Sequence, residues 1–165
     1  METIPPKTSV ANPNALRAIL IAGFVAGSLD ITAACVQYYI VTGKDPVNVL
    51  RFVASGAFGK PALSGGPAVA LWGLVLHFMC AFAFTFFFFL IYPRLKIMAK
   101  NKWVTAVVYG IFVWCVMNLL VVPNSQAPKM TFHPDKALIA ALILICMIGL
   151  PITFIIGNYF SKKEV

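Results

Sequence analysis

Residues 68–92 read AVALWGLVLHFMCAFAFTFFFFLIY and contain no Lys, Arg, Asp or Glu. A helix needs about 20 mostly apolar residues to cross a bilayer core, so this run is long enough to span. Strands of a membrane barrel run to about 10 residues with alternating polarity; this stretch is longer and uniformly apolar. The bilayer core offers the backbone no water, so its amides must bond within a helix. Three further stretches have the same character, at about 16–41, 103–122 and 137–160. Pro, Gly, Lys and Asp punctuate the segments between them.

The whole chain agrees with this reading. Of its 165 residues 61% are apolar and 11% charged, against about 45–50% and about 25% in soluble proteins. So few charges cannot cover a water-soluble globule, and a disordered chain has the opposite composition. The net charge of +8 does not indicate nucleic acid, because the basic residues sit in short segments between apolar runs rather than in one patch. The expected fold is an all-α membrane protein, a single polytopic domain of four transmembrane helices.

Four spans put both termini on one side. Lys7, Arg17, Arg94, Lys96, Lys100, Lys102, Lys162 and Lys163 fall there, against Lys44, Arg51, Lys60, Lys129 and Lys136 on the other. The contrast is sharpest in 93–102, which holds four basic residues and no acidic one, whereas each opposite loop carries an acid, Asp45 or Asp135. The positive-inside rule then places the termini in the cytoplasm. Tyr92, Trp103 and Tyr159 lie near the same ends, where amphipathic rings favour the interface. Residues 18–29, followed by Thr32-Ala33-Ala34-Cys35, weakly resemble a cleavable leader. Asp30 interrupts that pattern and the residues after Cys35 stay apolar, so the run is read as a span.

The first connector, about 43–67, has a pattern of its own. Pro46 suits a first helical position, with Asp45 as its cap. Val49, Leu50, Val53, Ala57 and Phe58 recur at helical spacing, and Asn48, Arg51 and Ser55 form another stripe. The segment 46–58 is expected to be a short amphipathic helix, lying in the interface or folded back into the bundle. The second connector, 123–136, holds Pro123, Pro128 and Pro134, and its His133 reads as a solvated turn residue. Gly149-Leu150-Pro151 is expected to kink the fourth helix.

Asp30 is the only acidic residue in any span. A charge at mid-span costs about 2.5–3.5 kcal/mol on insertion scales, so protonation, a partner or water must lower that cost. Gly23, Ala26, Gly27, Ala33, Ala34 and Gln37 share its helical face, and Gly23 and Gly27 form a small-xxx-small pattern that lets helices approach. His77 is the expected partner. It stands in the second helix on a face with Ala70, Gly73 and Ala81, at a depth within a turn of Asp30. With Gln37 and Asn118, the two are expected to form one polar cluster. Such a cluster either relays a proton or cation, because His titrates near neutrality, or locks the helices together.

Cys35, Cys80, Cys115 and Cys146 fall one per span without a CxxC pair, and are read as small apolar residues. The Phe86-Phe87-Phe88-Phe89 tract is read as lipid-facing or bundle packing. No phosphate loop, catalytic triad or HExxH motif is present, so no enzyme, cofactor or metal site is expected.

Three motifs carry a family resemblance. Gly23-x-x-x-Gly27-x-x-Asp30, Ser55-Gly56-x-Phe58-Gly59-Lys60 and Gly73-x-x-x-His77 resemble the YagU-type inner-membrane proteins, small bacterial multi-span proteins of undefined biochemical activity. The present chain is more compact than that type. The resemblance implies a bacterial inner-membrane location and carries no residue roles. The function expected from the residues is a small transporter or channel-like protein using Asp30 and His77. The alternative is a structural or interaction subunit whose Gly23, Gly27 and Gly73 faces bind other membrane helices, including a second copy. The lipid bilayer is the partner in either case, and nucleic acid is not.

Overall fold

The structure, a computed structural model, describes residues 13–94, 101–129 and 134–161, with the side chains of Asp135 and Lys136 excepted. The basic positions Lys7, Lys96, Lys100, Lys162 and Lys163, and His133, lie outside the described residues. Four helices are long and apolar enough to cross a membrane. They are α1 (Pro13–Thr42), α3 (Pro67–Arg94), α4 (Lys102–Asn124) and α5 (Ala137–Ser161, entered from Pro134). A shorter apolar helix, α2 (Val47–Phe58), lies between α1 and α3, and the described residues contain no strand. The expected all-helical membrane fold, with its four spans and connector helix, is therefore observed.

Local chemistry sets the helix ends. Pro13 and Pro67 open α1 and α3, positions where the missing N–H is no loss. The Asn101 side chain caps α4 by accepting from the N–H groups of Trp103 and Val104. Asp45 Oδ1 accepts from Val47 N–H at 2.9 Å and so starts α2. Gly43 and Gly59, at φ of 65° and 73°, stop α1 and α2 in a conformation that side chains resist. The last two spans each contain a π-helical turn, Val116–Val121 in α4 and Ile145–Gly149 in α5. Each is followed within two residues by a proline, Pro123 or Pro151. Proline removes one i→i−4 bond and crowds the preceding turn, and the wider π register accommodates both effects. Gly149-Leu150-Pro151, the expected kink site, coincides with the end of the second π turn.

The side of the bundle holding Pro13 and Ser161 is the terminal side, and the side holding α2 the connector side. Fully packed residues gather toward the terminal side. On α1 they run from Ala15 to Gly27, on α4 from Thr105 to Val113, and on α5 from Ile148 to Gly157. Beyond Gly27, beyond Val113 and before Ile148, no described residue of these three spans is fully buried. The phenylalanine tract divides accordingly. Phe88 and Phe89 are buried, whereas Phe86 and Phe87 are exposed. Phe88 packs on Tyr109 with ring centroids 4.4 Å apart, and Phe89 packs on Tyr159 and Phe160. Tyr92, expected at the interface, turns inward and stacks on Phe160.

Glycines permit the closest helix approaches. Gly73 lies against the backbone of α2 at Leu50 and Ala54, which brings α2 back onto α3. Gly149 lies against the Ala106 carbonyl and Gly110 against the backbone of Ile145, which joins α4 to α5. Gly23 and Gly27 receive the rings of Phe82 and Phe78 from α3. A methyl added at Gly73 meets backbone, which cannot rotate away. Gly73→Ala is therefore expected to destabilise the protein by about 1–3 kcal/mol, the usual range for overpacking. Gly66→Ala, with nothing near it, is the neutral control. Thermal unfolding of both variants in detergent checks the difference.

Candidate functional site

The polar residues of the spans sit where close packing stops. His77 projects from α3, one turn beyond Gly73, and its Nε2 lies 2.8 Å from the Gly27 carbonyl oxygen of α1. A carbonyl only accepts, so Nε2 donates; in the neutral ring Nδ1 then bears the lone pair. The absent side chain at Gly27 leaves room for Phe78 and Ala81 of α3. Phe78 flanks the contact, stacked on Phe24 at 5.7 Å and edge-on to His77.

Asp30 follows Gly27 by three residues on the same face of α1, at the first turn beyond the packed core. It is half-buried, and its carboxyl group accepts no hydrogen bond from another described residue. No hydrogen bond or ion pair joins Asp30 to His77. His77 is held instead by the backbone of the helix that carries Asp30.

Gln37, two turns further toward the connector side, is half-buried and makes no hydrogen bond to a described residue. Asn118 behaves differently. It lies within the π turn of α4, is exposed, and donates to the Trp114 carbonyl of its own helix at 2.9 Å. No hydrogen bond therefore joins Asp30, Gln37, His77 and Asn118 to one another. A helical face read at 3.6 residues per turn does not hold through a π turn, so the placement of Asn118 was outside the reach of periodicity.

Arg51 adds a charge to this region that the sequence placed only on the polar stripe of α2. It is half-buried, and its Nη1 donates to Asn48 Oδ1 at 3.0 Å. Its Nε is enclosed without a partner, as are Trp114 Nε1 and Thr153 Oγ1. The one available signal was the spacing of Asn48 and Arg51, which are neighbours on a helix. α2 and the residue before it are tied to α1 and to the segment after α4. Cys35 Sγ lies 3.7 Å from the Pro46 carbonyl oxygen, and Gln126 N–H donates to the Gly56 carbonyl at 2.9 Å. The four cysteines are free, and the described residues hold no group of three metal-ligating side chains.

No protein-family model, curated protein or solved structure matches the chain. The chemistry of the site therefore rests on its own residues. The site offers one carboxyl group that accepts no hydrogen bond from the described residues and one imidazole fixed by a backbone carbonyl.

The His77 bond has a spectroscopic consequence. Nitrogen NMR of the protein in lipid is expected to find the neutral ring protonated at Nε2, and protonation at Nδ1 alone contradicts the contact. Replacing His77 by Leu should cost about 0.6 kcal/mol, and at most about 1.7, the measured range for interhelical hydrogen bonds in membranes.

Proposed function

We propose that this protein is a small transporter or channel-like protein that admits a proton or cation to Asp30 from the connector side, with His77 as the neighbouring titratable group. The observation that carries this reading is the position of Asp30 at the limit of packing. Toward the terminal side the spans close on Ala26, Val113 and Ile148. Toward the connector side they pack less closely, and Gln37, His77 and Asp30 are all partly accessible. An acidic side chain that accepts no hydrogen bond from the described residues is stabilised by protonation, by a bound cation or by water. His77 supports the same reading, since its ring is held at Gly27, three residues before Asp30 on α1, while Nδ1 is not needed for that bond.

In this proposal the membrane is the bacterial inner membrane, as the YagU-type resemblance implies. The termini and the basic segment 93–102 are then cytoplasmic, and α2 covers the extracytoplasmic entrance. The packed aromatic layer of Phe88, Phe89, Tyr92 and Tyr109 forms the closed cytoplasmic side. The other reading, a subunit that recruits helices through its small-residue faces, has less support. Gly23, Gly27 and Gly73 are already occupied by Phe82, Phe78 and α2 of the same chain.

Purified protein in vesicles containing a pH-sensitive dye tests the proposal. A proton or cation gradient is expected to drive flux through the parent. Asp30→Asn should reduce it to the level of protein-free vesicles, and Asp30→Glu should retain it. Absence of flux in the folded parent, or full flux in Asp30→Asn, overturns the reading.

A further inference from the structure

We infer that the cleft between α3 and α4 is a binding site for the acyl chain of a membrane lipid. The cleft occupies about 380 Å³, within the usual range for small-molecule sites of about 300–1,000 Å³. Cys80, Ala83 and Phe84 line it from α3, and Phe112, Val116 and Met117 line it from α4. Toward the terminal side it ends where Tyr109 Oη donates to the Phe84 carbonyl at 2.6 Å and Phe87 stacks on Phe112 at 5.5 Å. Toward the connector side, the segment after α4 is tied to α2 through the Gly56–Gln126 bond, and α2 in turn packs on α3. Between these two ties lies the cleft.

The occupant follows from the lining and the surroundings. The walls are apolar apart from one thiol, so water entering the cleft finds no hydrogen-bond partners. Left empty, the lining loses dispersion contacts. A helix from another copy is about 10–12 Å across with its side chains, too wide for a cleft of this volume, whereas a polymethylene chain is narrow enough. The cleft is also continuous with the bilayer-facing exterior, because Phe87, Phe112 and Val121 on its rim are exposed there. The hydrocarbon that contacts this exterior is lipid tail. The π turn Val116–Val121 supplies one wall, and Met117 within it is the flexible side chain that adapts to an acyl chain.

The full chain, reconstituted in dioleoylphosphatidylcholine vesicles, tests this with a phosphatidylcholine that carries a diazirine midway along one acyl chain. After illumination, adducts mapped by mass spectrometry are expected on Phe84 and Met117 several-fold above those on Leu119 and Leu120, which are exposed on the same stretch of α4. Ala83→Trp fills the cleft from α3 and Val116→Trp fills it from α4. Each folded variant should lower labelling of the opposite wall while leaving Leu119 unchanged. Equal labelling of Met117 and Leu119 in the parent overturns the assignment. So do unchanged adducts in the Trp variants, or cross-links between protein copies at the cleft in place of lipid.

Discussion

The close approach of α1 and α3 at Gly27 is the contact on which the arrangement of the site depends. The His77 ring reaches the Gly27 backbone carbonyl of the neighbouring helix, and the absent side chain at Gly27 leaves room for Phe78 and Ala81 of α3. That contact sets the depth at which α1 and α3 are fastened. One turn later Asp30 stands on the same face, and no described residue donates a hydrogen bond to it. The last fully packed residues of α4 and α5, Val113 and Ile148, bound the same closely packed half. On α1, α4 and α5 full burial is thus confined to the terminal side of that contact, whereas on α3 it continues to Gly73 and Ala70, where α2 packs.

Magnitudes separate a structural Asp30 from a functional one. Placing its charge at mid-span costs about 2.5–3.5 kcal/mol on insertion scales. An interhelical hydrogen bond contributes about 0.6 kcal/mol on average, and Asp30 makes none with a described residue. Packing on its own thus offers no offset for retaining an acid at this position. His77 is the reverse case, since its single bond is of ordinary strength and accounts for its place in the fold. Arg51 lies between the two. Asn48 satisfies one end of the guanidinium, and the enclosed Nε has no partner.

Much of the fold was legible in the sequence because hydropathy operates over whole spans. The four helices and the connector helix are found close to the expected bounds, and Asp45 starts α2 as the residue types suggested. The site was legible only in part. His77, Gly27 and Asp30 share one region because their faces and depths are set by regular helix geometry. Asn118 does not join them, since the π turn shifts its direction and its amide bonds its own helix. The prolines that accompany both π turns were visible, but a proline alone does not distinguish a kink from a change of register. Which phenylalanines of the 86–89 tract face inward depends on Tyr109, Tyr159 and Phe160, far away in the chain. The contacts of Gly110 and Gly149 likewise needed the mutual placement of α4 and α5.

The limit of packing at Gly27 is most directly measured by thiol labelling along the inner face of α1. In a variant with the four native cysteines replaced by alanine, single cysteines at Ala18, Ala22, Ala26, Ala33, Ala34 and Gln37 would be exposed to a membrane-impermeant maleimide from the connector side. Modification at 33, 34 and 37, with protection at 18, 22 and 26, is the pattern that a bundle closed at Gly27 produces. Protection at all six positions, or modification continuing to 18, contradicts a bundle packed closely only in its terminal half.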